Sequence, residues 1–105
     1  MTEFGRTSKE NGSKGTDHAF ACVVFVAGGG VKGGVYNCDT SAWQAGDLFS
    51  QSGRYVKHVT DYRAVFGEIF TKHFGDGPEV LDAVIPGYAA AAAARPGDFA
   101  GLGFL

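Results

Sequence analysis

The chain is 105 residues long and 17 of them are glycine, more than twice the roughly 7% usual in globular proteins. That length admits one domain at most, and 45% hydrophobic with 19% charged residues describes a globular chain with a lean core rather than a disordered one. A formal net charge of -2 removes the basic footprint of a nucleic-acid binder, and no apolar run approaches the roughly 18 residues of a membrane span.

The first residues, Met1 to Arg6, are polar and lack the apolar stretch that directs export. Residues 5–17 hold almost no apolar side chain, so they read as a long surface loop, a length that is often functional. Next comes Ala19 to Ala27, β-branched and aromatic without polar alternation, the pattern of a strand covered on both faces in an α/β sheet. Gly28-Gly-Gly-Val-Lys-Gly-Gly34 supplies the tight turn after it. Val35 and Tyr36 are expected to form a short return strand. Residues 37–53 are rich in turn formers, with Trp43, Leu48 and Phe49 as anchors, and Arg54 to Val59 reads as extended.

The firmest element lies at 61–74, where apolar residues at 62, 65, 66, 69, 70 and 74 follow the spacing of one helix face. Thr60 is the expected cap, Asp61 suits the positive end of the helix dipole, Lys72 and His73 the negative end, and Gly75 the stop. Pro78 to Val84 reads as a further short helix, begun by proline and stopped by Pro86-Gly87. Ala89 to Ala94 has high helix propensity but is too short to stand alone, and residues 95–105 lack periodicity. The tail is expected to be poorly ordered.

Few residues carry recognisable chemistry. Asp17-His18 joins a hard and a borderline metal donor at the mouth of the strand, although two ligands fall short of the three or four a transition-metal site takes. A loop carboxylate beside a partly buried histidine explains the same pair. The glycine loop with Lys32 fails the phosphate-loop pattern, because the lysine precedes Gly33-Gly34 and no Ser or Thr opens a helix after it. A structural turn is the better reading. His58 stands alone, and no serine sits in a nucleophile elbow. Cys22 and Cys38 are too few for a disulfide scaffold, and whether they form a bridge is left open, as is the compartment.

Seven blocks taken together, Thr2 to Thr7, Glu10-Asn-Gly-Ser13, Gly15-Thr-Asp-His18, the apolar strand, Gly28 to Gly34, Thr60-Asp-Tyr-Arg63 and Leu81 to Gly87, resemble the C-terminal quarter of a bacterial family. That family is catalogued as domain of unknown function 1501 and grouped with the alkaline phosphatase and sulfatase superfamily. The resemblance implies an α/β fold: a partial mixed sheet with flanking helices, the C-terminal part of an alkaline phosphatase-like fold. Residues 1–88 would be that portion and 89–105 an Ala/Gly-rich tail.

It also implies a divalent metal, zinc, manganese or calcium, at a site to which this chain gives only part. Thr2-Glu3-Phe4-Gly5 resembles the superfamily's Ser-Asp-His-Gly strand exit, with Glu3 in the carboxylate place and Phe4 where its histidine would be. His18 resembles a later histidine ligand, with Asp17 assisting it or binding directly. Arg6 would meet an oxygen of a small anionic ester, though a loop salt bridge accounts for it equally. The nucleophile and the N-terminal carboxylates are missing, and two-metal chemistry needs both.

The expected function is therefore that of a fragment of a phosphate or sulfate ester hydrolase, not competent alone. The alternatives are a small non-catalytic α/β binding module, self-associating through exposed sheet edges, and a truncated gene product without function. Members of the resembled family are often exported, but any such signal would precede this chain.

Overall fold

The computed structural model describes residues 4–37 and 53–105. Glu3, Cys38, Trp43, Leu48 and Phe49 lie outside the described residues. The architecture is mixed α/β, with a small two-stranded antiparallel sheet and three α-helices among the described residues. Contacts divide the chain into two compact units where the sequence suggests one: residues 1–27 with 38–58, and residues 28–37 with 59–105.

In the first unit, β1 (Gly5–Arg6) pairs with β2 (His18–Ala19), Gly5 opposite Ala19 and Arg6 opposite His18. The Thr7 N–H extends the ladder to the Asp17 carbonyl at 3.0 Å, so the neck of the 7–17 loop is closed by main-chain bonds. The loop is thus tied at its ends, and Gly5 and Arg6, read as loop from composition, belong to a strand. Gly5 is required there by packing: a Cβ at that position would lie 1.8 Å from the Ala21 carbonyl oxygen.

The apolar stretch departs from expectation. Only Ala19 joins the sheet, residues 21–27 take no regular structure, and Phe20 and Phe25 are 84% and 88% exposed. A strand needs donors and acceptors beside it along its whole length, and a two-residue β1 offers them only at the start.

The second unit is built on helix α1 (Tyr62–Glu68), which runs on as a π-helical turn from Ile69 to Phe74 and stops at Gly75 with φ of 78°. The cap is Asp61 rather than Thr60: its Oδ1 accepts the Arg63 N–H at 3.0 Å. The widening to π geometry coincides with Thr71, whose hydroxyl donates to the Gly67 carbonyl at 2.8 Å and competes with the ordinary ladder. Helix α2 (Pro78–Val84) has the bounds its proline signals predict. Helix α3 (Tyr88–Ala94) gains what its short alanine run lacks, since the Asp82 carboxylate accepts the Ala89 N–H at 3.0 Å.

Ala64, Leu81 and Phe104 are buried in this unit. Gly67 lets Tyr88 close on α1, because a Cβ there would stand 2.4 Å from the Tyr88 hydroxyl oxygen. Tyr88 meets Phe99 edge-on at 5.3 Å, and Arg63 lies over the other ring at 5.3 Å. A 3-10 turn (Pro96–Phe99) brings in the final residues. Where composition suggests a poorly ordered tail, the structure places Phe104 at 3% exposure, with its carbonyl accepting the Lys32 N–H at 2.7 Å. Val35 and Tyr36 form no strand; the Tyr36 hydroxyl instead donates to the Lys32 carbonyl.

Candidate functional site

The neck of the 7–17 loop gathers three of the predicted residues. Pairing of β1 with β2 sets Arg6 opposite His18, and Asp17 follows from the next ladder bond. The His18 ring stacks on Phe4 with centroids 3.8 Å apart and planes 23° from parallel. Arg6 sits over the Phe4 ring at 5.6 Å and donates through Nη1 to the Thr16 carbonyl at 2.8 Å. Phe4 is therefore the platform on which an imidazole and a guanidinium are both arranged.

Asp17 is held by residues that sequence reading does not single out. Arg54 Nη2 donates to Oδ2 at 2.5 Å, and Asn11 Nδ2 donates to Oδ1 at 2.8 Å. Asn11 is itself fixed: its Oδ1 accepts the N–H groups of Ser13 and Gly15, each at 3.0 Å. The Thr7 hydroxyl adds a bond from the Asp17 N–H at 3.1 Å. Arg54 comes from 37 positions away, so no local pattern announces it.

These residues do not by themselves fit a divalent ion. Both Asp17 oxygens are engaged by Arg54 and Asn11, the His18 ring is stacked on a phenyl group, and no three metal-donor side chains converge among the described residues. Glu3, the third expected donor, lies outside the described residues. What the arrangement offers is an imidazole beside an arginine-held carboxylate and a second guanidinium.

Lys32, which a phosphate-loop reading would aim at a ligand, donates through Nζ to the Leu105 carbonyl at 3.1 Å, and the glycine loop acts as a turn with the Val31 N–H on the Gly28 carbonyl.

Among the described residues, the two carboxyl groups with shifted values lie in the second unit. The Arg63 side chain, bonded to both oxygens of Asp61, holds that carboxyl at about 2, against the opposing effect of burial; Arg95 adds to it at 2.8 Å. Burial pushes Glu68 up, but main-chain N–H groups of Gly103, Leu105, Leu102 and Phe104 more than offset it and leave the carboxyl below its ordinary value. Perturbed carboxyls often mark catalytic sites. Here their partners account for them: Asp61 caps a helix and Glu68 anchors the tail.

A two-stranded sheet in one unit, with a histidine, a carboxylate and two arginines at the neck of its loop, and three helices in the other define a mixed α/β chain with a polar cluster. Residues 1–85 match the family described as protein of unknown function (DUF1501), and the chain belongs to that family. Neither a curated protein nor a solved structure matches it.

Proposed function

We propose that the chain is part of a hydrolase-like protein of the phosphate or sulfate ester class, related to the alkaline phosphatase and sulfatase superfamily, and is not catalytically competent alone. The observation that carries this reading is the uncharged segment after His18, without regular structure at 21–27 and open to solvent at Phe20, Val23 and Phe25. Its composition is that of a strand inside a sheet, and the described sheet takes in only its first residue, Ala19. Strand partners would fix the direction in which Asp17 and His18 leave the sheet, as sites in α/β sheets form at strand ends.

In that setting Arg6 and Arg54 suit the oxygens of an anionic ester, and His18 suits transfer of a proton to the leaving oxygen. A bound zinc, manganese or calcium ion would need donors beyond Asp17 and His18, and the Arg54 pair would have to open.

The test is turnover of aryl phosphate and aryl sulfate esters by this chain alone and by the chain carrying its in-frame upstream coding sequence. The expected result is no turnover alone, and turnover by the longer protein that His18→Ala abolishes. Turnover unaffected by Asp17→Ala with His18→Ala contradicts the reading, as does the lack of any in-frame extension.

The same exposed segment supports a second reading, a non-catalytic module that adds its strand to a partner sheet or to a second copy of itself.

A further inference from the structure

The Asn11–Gly12 pair in the 7–17 loop is arranged for chemistry on itself. Two main-chain N–H groups, of Ser13 and Gly15, point at Asn11 Oδ1 at 3.0 Å each. Paired N–H donors on a carbonyl oxygen stabilise the negative charge that develops when its carbon is attacked. The following residue is glycine, exposed, with nothing within 4 Å of where a Cβ would stand, so its amide nitrogen carries no side chain to hinder an approach to Cγ. The leaving nitrogen, Nδ2, rests on the Asp17 carboxylate at 2.8 Å.

We propose that Asn11 is a self-modification site at which the side-chain amide is lost through a cyclic imide with Gly12, converting Asn11 to aspartate and isoaspartate. The Gly12 nitrogen gives its proton to solvent base and forms a bond to Asn11 Cγ. The Cγ–Nδ2 bond breaks, and Nδ2 leaves as ammonia with a proton from solvent. Water then adds across either imide C–N bond; the net change is hydrolysis of an amide to an acid and ammonia, with no redox step.

The product rearranges the candidate site. An oxygen replaces the Nδ2 donor that faces Asp17 Oδ1, so a hydrogen bond becomes a contact between like charges. Arg54, bonded to Asp17 Oδ2, is then shared between two carboxylates. The modification acts as a slow, one-way loosening of the loop neck, and it is independent of the ester-hydrolase reading.

The experiment is peptide mapping of the full chain by mass spectrometry after incubation at neutral pH and physiological temperature, folded and in urea, with Asn37 as internal reference. Asn11 is expected to convert in the folded chain at least as fast as in urea and ahead of Asn37. Gly12→Val, which has open space around it, is expected to slow conversion severalfold without unfolding the chain. Conversion in urea with Asn11 intact in the folded chain overturns the proposal, as does a Gly12→Val chain that converts at the unaltered rate.

Discussion

Asp61 shows how much one carboxylate carries in a chain with so few buried side chains. It accepts the Arg63 N–H as helix cap, pairs both oxygens with Arg63 and receives Arg95 from the tail, while its own N–H donates to the Asp98 carbonyl. Asp61→Ala is expected to cost about 2 kcal/mol in chemical denaturation, between the loss of an N-cap and the breaking of a buried ion pair. The carboxyl is held at about 2, below its ordinary 3.8, so on acidification the unfolded chain takes up the proton first. This contribution is fully present above the ordinary value and is lost as pH falls through the folded one. Thermal melts across that window should show an acid loss on the order of 1–2 kcal/mol, discounted for the exposed Arg95, that Asp61→Asn lacks. That a helix begins here was legible in Asp61 and the apolar spacing after it. The partnership with Arg95 was not, because it spans 34 positions.

Glu68 repeats that lesson at the other end of α1. Its neighbours mark it as an ordinary residue on the less apolar side of a helix, yet its oxygens accept the N–H groups of Leu102, Gly103 and Leu105 at 2.8, 2.9 and 3.1 Å. Glu68→Gln replaces one acceptor oxygen by a donor aimed at those N–H groups. The expected cost is about 2 kcal/mol, read as faster hydrogen exchange confined to the amides of the final four residues.

Among the elements, those with local punctuation were legible and those needing distant partners were not. Helix α2 begins at Pro78 and ends before Pro86 as its sequence predicts. The π-helical turn after Glu68 has no signal in hydrophobic spacing, since apolar residues at 69, 70 and 74 suit either pitch. Composition alone marked Ala19 to Ala27 as a buried strand, but burial is a property of the partner as well as of the segment, and within this run only Ala19 pairs in the described sheet and is buried. The 7–17 loop depends on close approach at its neck. Gly5→Ala forces β1 away from the Ala21 carbonyl and should cost about 2–3 kcal/mol, with loss of the His18 stacking shift in the proton spectrum as its local sign.

For the whole molecule, the exposed segment is the feature that both readings of function share. Phe20, Val23 and Phe25 are 84%, 66% and 88% exposed on one uncharged run, the character of an edge that pairs with other chains. Light scattering after size exclusion is expected to show concentration-dependent association, removed by Val23→Lys with Phe25→Lys. Because both side chains face solvent, the double variant should change thermal stability by no more than about 0.5 kcal/mol per site. The loop-neck residues at 17 and 18 were legible as candidates from type and order alone. Arg54, Asn11 and the Phe4 platform were not, since each acts through a fold-dependent contact.

The central proposal is that residues 20–27 are suited to a strand position in a larger sheet, of which the described sheet takes in only the neighbouring Ala19, and that Asp17 and His18 belong to a site completed in that larger fold. Amide hydrogen exchange across 20–27, measured in the same sample as α1, tests it most directly. The account predicts exchange near the rate of an unstructured peptide in that segment while α1 is protected. Protection of 20–27 equal to that of α1 would contradict it, and Asp17 and His18 would then be loop residues of a finished small fold.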